Sequence, residues 1–466
     1  MATDQQEDVK LHIAMFPWLA FGHIIPYLEL ARLLARKGHR ISFISTPRNI
    51  DRLPKLPPNL SPLINLVKLP LPHEENLPND AEATADLPRE KVPILKKAYD
   101  NLQNPMAEFL EASQPDWLLY DFVAYWLPDV SRNVGVRNAF FSIFTASSLG
   151  FIGIEFPDYR KKPEDFLVSP KWVPFPSNVA YRKFEILRVF DSVTGTDDDV
   201  SVCYRIVQSL RGCDAVAVRS CWELENEWLV LLEDLLKKPV LPVGQLPPTP
   251  FLSGQETDTW RSIKGWFDEK PKNSVVYVAF GSEAEPSQDE LNEIALGLEL
   301  SGLPFFWVLR ANKTGSVQLP TGFEDRTGGR GLVWGSWAPQ LKILGHDSVG
   351  VFLTHSGWSS VVEALQFARP LVLLSFSNDQ GLNVRLLEEK MIGYSVPRDE
   401  NDGSFTRNAV AESVRMVMVG EEGRVYRERV KEMSKLFGDR EIQEKYVDEF
   451  LGRLKTHGIE TCKEAN

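Results

Sequence analysis

Short apolar runs alternate with amphipathic stretches along most of the chain. LHIAMF (11–16) is apolar and is followed by IPYLELARLLARKG, where apolar side chains recur every three or four positions until Gly38. This spacing predicts a strand and then a helix that ends at the glycine. Further apolar runs at 40–46, 117–122 and 138–144 predict more strands. Because strands and helices alternate, we expect a parallel sheet with helices on both faces.

A proline-rich segment at 237–255 (KKPVLPVGQLPPTPFLSGQ) interrupts the pattern, which then restarts at SVVYVAF (274–280). Such a segment is typical of a stiff connector. The prediction is an α/β fold with two doubly wound, Rossmann-like domains that face each other across a cleft. We place the N-terminal domain at 1–245, the C-terminal domain at 246–440, and a helical tail at 441–466 that packs back on the N-terminal domain. Ligands of such sheets bind beyond the carboxyl ends of the strands.

Composition narrows the class of protein. The 466 residues carry a net charge of −12 and 43% hydrophobic side chains, with a pI near 5.3. This charge argues against nucleic acid and anionic membrane surfaces as partners. The four cysteines form no CxxC pair, the N-terminus does not resemble a secretory signal, and no apolar run reaches 18 residues. We expect a cytoplasmic monomer without membrane insertion.

The stretch from Trp337 to Gln380 concentrates polar and aromatic side chains around a strand-to-helix turn. His355 ends the apolar run VGVFLTH, and Gly357, Ser359 and Ser360 open the next helix. A helix N-terminus presents unpaired N–H groups and a positive dipole end, so this turn is a candidate phosphate site.

Other side chains of the same stretch suit the remaining parts of a nucleotide sugar. Trp337 can stack on a base, Glu363 can accept ribose hydroxyls, and Asp379 and Gln380 can hold a sugar. Each has an ordinary reading when taken alone: a core indole, a carboxylate that complements a helix dipole, and two loop residues. Their convergence after successive strands favours the functional interpretation. A second, weaker anion element is FGSEAEP (280–286).

The candidate base is in the N-terminal half. His23 follows the first predicted strand, in what we interpret as a strand-end loop, and histidine is suited to proton transfer near neutral pH. Asp121 ends the apolar run WLLYDF, where an unpaired charge would be costly. A carboxylate there can orient the imidazole and stabilise its protonated form.

Metal and cofactor motifs are missing from the sequence. The acidic triplet 197–199 lies in a polar segment with no preceding strand, and neither GxGxxG nor GxxxxGK[ST] occurs. We therefore expect no metal and no cofactor.

With W-x-P-Q at its start, H-x-G-W at its centre and DQ at its end, the stretch resembles the signature box of plant family 1 UDP-dependent glycosyltransferases. His23 and Asp121 also match that family's base and its partner. The resemblance covers nearly the whole chain and implies the GT-B fold and metal-free, inverting sugar transfer (EC 2.4.1 type). In that chemistry the UDP-sugar is a co-substrate, and His23 deprotonates an acceptor hydroxyl that attacks the anomeric carbon.

The resemblance also assigns roles to individual positions. Contacts with uracil and ribose are implied for Trp337, Ala338, Gln340 and Glu363. Contacts with phosphates are implied for His355 and Ser360, in a turn that includes Gly357 and Ser359, and for Ser282 in the separate element 280–286. Contacts with the sugar are implied for Trp358, Asp379, Gln380 and Thr145. Apart from the resemblance, we expect Trp18, Phe122, Phe144 and Phe151 to line the acceptor pocket; the alternative is that these aromatic side chains at strand ends pack in the core.

Two letters depart from the family pattern: positions 356 and 359, usually Cys and Asn, are both Ser. The HSGWSS form resembles the branch that adds a sugar to the sugar of a flavonoid or terpenoid glycoside. Gln380 resembles that of glucose users, with rhamnose and xylose as alternative donor sugars. Direct transfer to an aglycone, a non-catalytic nucleotide-sugar-binding protein and a pyridoxal phosphate-dependent phosphorylase are the other hypotheses.

Overall fold

Two all-parallel β-sheets organise the computed structural model, which describes residues 9–154, 160–249, 257–281, 284, 286–309 and 318–464, with side chains as far as 456. The strands are β1 (His12–Phe16), β2 (Arg40–Ser45), β3 (Ile64–Lys68), β4 (Trp117–Tyr120), β5 (Arg137–Ser142), β6 (Ala215–Val218), β7 (Val240–Pro242), β8 (Val275–Ala279), β9 (Phe305–Val308), β10 (Gly331–Trp334), β11 (Val349–Thr354), β12 (Leu371–Leu373) and β13 (Gly393–Ser395).

The α-helices fill the connections between these strands. They are α1 (Phe21–Arg36), α2 (Pro47–Arg52), α3 (Val92–Asp100), α4 (Gln103–Ser113), α5 (Leu127–Asn133), α6 (Ala146–Ile152), α7 (Lys183–Thr194), α8 (Val202–Gly212), α9 (Trp222–Leu236), α10 (Asp258–Asp268), α11 (Gln288–Ser301), α12 (Phe323–Thr327), α13 (Gln340–Leu344), α14 (Trp358–Leu365), α15 (Gln380–Glu389), α16 (Arg407–Met418), α17 (Arg424–Gly438) and α18 (Arg440–Glu464). None of the helices in the described part of the chain is long and apolar enough to cross a membrane.

The first sheet has seven strands in the order β3-β2-β1-β4-β5-β6-β7. Ile13 pairs with Ile41 on one side and with Trp117 on the other, so β1 lies between β2 and β4. The chain leaves β1 toward one edge and returns at β4 toward the other. The carboxyl ends of β1 and β4 therefore form the topological switch point at which such sheets bind ligands.

The second sheet also has a reversal in its strand order and contains six strands in the order β10-β9-β8-β11-β12-β13. Its switch point lies between β8 and β11, whose last residues Ala279 and Thr354 are paired. The predicted alternation of strands and helices is confirmed in both sheets, because the buried β-branched and aromatic runs form their central strands.

Each sheet has its own hydrophobic core. In the first, Ile13, Phe43 and Trp117 are fully buried together with residues of α1 and of the C-terminal helix α18, including Phe450 and Leu454. The indole N–H of Trp117 donates to the carbonyl oxygen of Leu454 (3.2 Å), which fixes α18 against the sheet. In the second, Val278 and Leu353 are fully buried with apolar residues of α11 and α16.

Packing divides the chain into two compact units. The first contains Met1–Ile143, Tyr204–Leu246 and Arg440–Asn466; the second contains Phe144–Cys203 and Pro247–Asp439. In the second unit, Glu185 of α7 accepts a hydrogen bond from the hydroxyl of Ser375 (2.7 Å), and the Tyr181 hydroxyl donates to the carbonyl of Asn378 (3.2 Å). These bonds join residues 144–203 to the loop after β12. The sequence-based domain boundaries stay predictions about folding units.

Candidate active site

His23 and Asp121 meet at the switch point of the first sheet. Asp121 directly follows β4, and His23 follows β1, the neighbouring strand. His23 lies in the first turn of α1 and not in a loop, because the helix begins two residues earlier, at Phe21. Its Nδ1 is 2.7 Å from Oδ2 of Asp121, whose side chain is fully buried.

The hydrogen bonds of Asp121 determine which ring nitrogen of His23 carries the proton. Its Oδ2 also accepts the backbone N–H of Trp18 (3.1 Å), and its Oδ1 accepts that of Phe122 (2.8 Å). An ionised carboxylate can only accept, so the Nδ1 of His23 donates and the lone pair of the neutral ring is on Nε2. The pair can therefore remove a proton through Nε2 while the carboxylate stabilises the imidazolium.

Three of the four predicted acceptor-pocket aromatics are buried side chains in packing contacts. The ring of Phe122 lies 5.8 Å from that of His23, and the Trp18 ring stands edge-on to Tyr99 at 5.2 Å. In the second unit Phe151 is buried, whereas Phe144 is partly exposed. The acceptor pocket stays a prediction.

The start of the signature stretch lies after β10, in the second unit. Trp337 exposes 64% of its surface, the largest exposure of any large hydrophobic residue among the described residues. Its carbonyl accepts the indole N–H of Trp334 (3.2 Å), which anchors the backbone while the ring of Trp337 faces solvent. A solvent-facing indole can stack on a base, whereas the adjacent Ala338 is buried.

Gln340, Ser360 and Glu363 form one hydrogen-bonded group. The Gln340 amide nitrogen donates to Oγ of Ser360 (3.1 Å) and to Oε2 of Glu363 (2.7 Å). The hydroxyl of Tyr277 in β8 donates to the Gln340 carbonyl oxygen (3.1 Å) and fixes the amide orientation. We did not predict Tyr277; the only sequence signal is a hydroxyl inside an otherwise apolar strand. The arrangement presents a carboxylate and hydroxyls at the start of α14, as polyol recognition requires.

His355 follows β11 and is held between two glycines. A Cβ at Gly281 would approach its ring to 2.9 Å, and a Cβ at Gly357 would approach Nε2 to 2.5 Å. Gly281 also has a φ of +76°, which favours glycine. Burial lowers the pKa of His355 to about 4, so the ring is neutral near pH 7 and can donate one N–H to an anion.

The turn after His355 depends on Ser356, the position where the family usually has Cys. Ser356 is buried with a φ of +70°, and its hydroxyl has no hydrogen-bond partner. The Asn383 amide nitrogen donates to the Ser356 carbonyl (3.2 Å) and to Oδ2 of Asp379 (3.0 Å). Asn383, which sequence reasoning missed, thus joins the phosphate turn to the predicted sugar-binding loop. Trp358 is buried in the same turn, and Ser359 is partly exposed.

Gln380 is turned toward its own loop. Its side-chain carbonyl accepts the backbone N–H groups of Phe376 (2.8 Å) and Ser377 (3.1 Å), and the residue is buried. The oxygen that could meet a sugar is thus already engaged, and the amide nitrogen also donates to Oγ of Ser377 (3.4 Å).

Thr145 and Ser282, which are predicted to contact the UDP-sugar, lie outside the signature stretch. Thr145 is fully buried as the N-cap of α6, where its Oγ1 accepts the backbone N–H of Ser148 (3.2 Å). Ser282 falls outside the described residues. Within the described residues, no group of three or more His, Cys, Asp or Glu side chains could hold a metal ion.

Comparisons with known proteins extend these observations. The family model described as UDP-glucoronosyl and UDP-glucosyl transferase matches residues 255–448. The chain is 55% identical to UDP-glycosyltransferase 91A1 of Arabidopsis thaliana, over 97% of this chain and 98% of the relative. It is 34% identical to an anthocyanidin-3-O-glucoside rhamnosyltransferase of Petunia hybrida, over 95% of this chain and 96% of the relative. A solved structure of UGT73P12 from Glycyrrhiza uralensis, in complex with glycyrrhetinic acid 3-O-monoglucuronide, is 24% identical and superposes with a TM-score of 0.81 over 98% of both chains.

Proposed function

Because this chain belongs to the plant UDP-dependent glycosyltransferases, we propose that it transfers glucose from UDP-glucose to a hydroxyl of the sugar on a flavonoid or terpenoid glycoside. The GT-B fold and the UDP-glycosyltransferase activity are confirmed by its relatives. The glycoside acceptor, the donor sugar and the roles of single residues belong to the proposal.

The glycoside acceptor rests mainly on one observation. A relative aligned over nearly its whole length is named for a glucoside acceptor, anthocyanidin-3-O-glucoside. The HSGWSS turn, which resembles the sugar-on-sugar branch of the family, supports the same acceptor class.

The proposed reaction needs a base, an attacking hydroxyl and a leaving group. His23 would take the acceptor proton through Nε2, with Asp121 stabilising the imidazolium, as their 2.7 Å bond supports. The acceptor oxygen would attack the anomeric carbon as its bond to UDP breaks, which inverts the configuration. The N–H of His355 and the N-terminus of α14 would stabilise the charge on the departing diphosphate.

The donor sugar has a second candidate. Gln380 resembles that of glucose users, whereas the Petunia relative is named a rhamnosyltransferase. Rhamnose therefore remains the main alternative to glucose, with xylose a further one.

A donor-by-acceptor screen tests the proposal. The full chain is incubated with UDP-glucose, UDP-rhamnose or UDP-xylose and with a flavonoid aglycone or its monoglucoside. We expect a diglucoside from UDP-glucose and the monoglucoside, and no comparable product from the His23→Ala variant. Conversion of the aglycone alone would contradict the acceptor, transfer of rhamnose alone would contradict the donor, and a His23→Ala variant as active as wild type would contradict the base.

A further inference from the structure

A cavity of about 650 Å³ lies within the second unit, outside the signature stretch. It is open to solvent between residues 167–183 and 385–401. Its volume falls in the range of ligand pockets, about 300–1,000 Å³. Polar side chains of its lining include Asn178, Tyr181, Arg182, Arg385, Glu388 and Glu400.

The charges of the cavity lining balance: Arg182, Lys183 and Arg385 are cationic, and Glu388, Glu389 and Glu400 are carboxylates. Nη1 of Arg385 lies 3.0 Å from Oε2 of Glu388, and Nε of Arg182 lies 3.4 Å from Oε1 of Glu400. A phosphate or carboxylate ligand would need an excess of cations, which this lining does not offer. Alternating donors and acceptors fit neutral hydroxyl groups instead, because each hydroxyl both donates and accepts.

Two nitrogens of the Arg385 guanidinium have N–H groups that donate no hydrogen bond within the described residues. Its Nε and Nη2 are buried and have no hydrogen-bond partner. Such N–H groups cost free energy when they stay unpaired, so a shift of the Arg385 side chain that lets them donate to a polar ligand in the cavity would add affinity.

Tyr181 connects the cavity to the proposed substrate sites. Its ring stands edge-on to Phe151 at 5.8 Å, and its hydroxyl donates to the carbonyl of Asn378 (3.2 Å). Phe151 is a predicted acceptor residue, and Asn378 directly precedes Asp379 and Gln380, which are predicted to meet the donor sugar. Through Tyr181 the cavity is therefore one side chain away from a predicted acceptor residue and from the loop that precedes the predicted sugar-binding residues.

We propose that this cavity binds a sugar of the acceptor glycoside other than the one that receives the new residue. The inference rests on the proposed function, because it requires a glycoside acceptor. It predicts that the protein distinguishes acceptors by the number of sugars that they carry before transfer.

Calorimetric titration of the full chain with UDP present tests this directly, using a flavonoid 3-O-monoglucoside and the matching 3,7-di-O-glucoside, whose second glucose is on another hydroxyl of the aglycone and is therefore not the product of transfer to the first. Wild type should bind the diglucoside about tenfold more tightly, equal to ~1.4 kcal/mol. The variants Asn178→Ala and Arg385→Gln should lose this preference. Lys162→Met, an exposed lysine of the same segment outside the cavity lining, should keep it.

The outcomes separate the cavity from the reaction. Equal affinity of wild type for both glycosides, or a preference that survives in Asn178→Ala, would overturn the cavity proposal. Asn178 is exposed, so its variant keeps the test valid if Arg385→Gln fails to fold. Lack of transfer to either glycoside, together with a preference that the cavity variants abolish, would refute the proposed function alone.

Discussion

Replacement of Asp121 by asparagine removes one charge and one acceptor from a fully buried position. In the native protein, Oδ2 accepts from His23 and from the backbone of Trp18, and Oδ1 accepts from the backbone of Phe122. An amide must turn its NH₂ toward one of these sets of donors. If the NH₂ faces Trp18, the backbone N–H of Trp18 loses its acceptor, and Nδ1 of His23 must accept a hydrogen bond, which moves the imidazole proton to Nε2. If the NH₂ faces Phe122, the backbone N–H of Phe122 loses its acceptor.

Both orientations remove the negative charge that stabilises a protonated His23. We therefore expect kcat to fall by about 10²–10⁴, the usual contribution of general base catalysis. This corresponds to roughly 3–5 kcal/mol of transition-state free energy. The free energy of unfolding should fall by about 1–3 kcal/mol, because one buried N–H group loses its acceptor.

Asp116 offers a matched control at the other end of β4. Its Oδ2 accepts the backbone N–H of His12 (2.7 Å), so Asp116→Asn also changes a carboxylate bonded to backbone at the same strand. Initial rates at saturating UDP-sugar and chemical denaturation should be measured for both variants. If Asp121→Asn keeps kcat within threefold of wild type, or Asp116→Asn loses as much activity, the assignment of Asp121 as the partner of the base is wrong.

Three further predictions concern the second unit. Gly357→Ala should raise KM for the UDP-sugar at least about tenfold, since a Cβ there lies 2.5 Å from Nε2 of His355, whereas Gly265→Ala, with nothing within 4 Å of its Cβ, should not. Trp337→Ala should raise that KM by about tenfold through lost base stacking, yet change the free energy of unfolding by less than about 0.5 kcal/mol; a large loss of stability would instead indicate a packing role. The pKa of His355 is lowered in the folded state from 6.5 to about 4, so between these two pH values the unfolded state binds more protons than the folded state. Stability should fall by about 3 kcal/mol as pH drops through it, and His355→Gln should lack that portion of the decrease; an unchanged pH dependence in His355→Gln would contradict the shift.

Residues fixed by strand order were predictable from the sequence. His23 and Asp121 follow two apolar runs, and the carboxyl ends of neighbouring parallel strands meet at one edge. The local structure of His23 was less predictable, because α1 starts without a capping side chain that would mark its first residue.

Long-range partners could not be read from local patterns. Tyr277 reaches Gln340 because β8 and α13 are neighbours only in the folded unit. The Gln380 side chain faces its own loop because its oxygen accepts two backbone N–H groups of the preceding residues. The sequence does not show which way this amide faces. The contacts that hold α7 to the rest of the second unit, such as the bond of the buried Glu185 carboxylate with Ser375 and the ion pair of Arg188 with Glu290, likewise join residues far apart in the sequence.

The most direct test of the proposed function is the linkage in the product. After reaction of UDP-glucose with a flavonoid monoglucoside, two-dimensional NMR identifies the carbon that is joined to the new anomeric centre through the glycosidic oxygen. We predict a β-configured glucose linked through oxygen to a carbon of the first glucose. A new sugar attached to the aglycone, or an α-configured linkage, would contradict inverting sugar-on-sugar transfer.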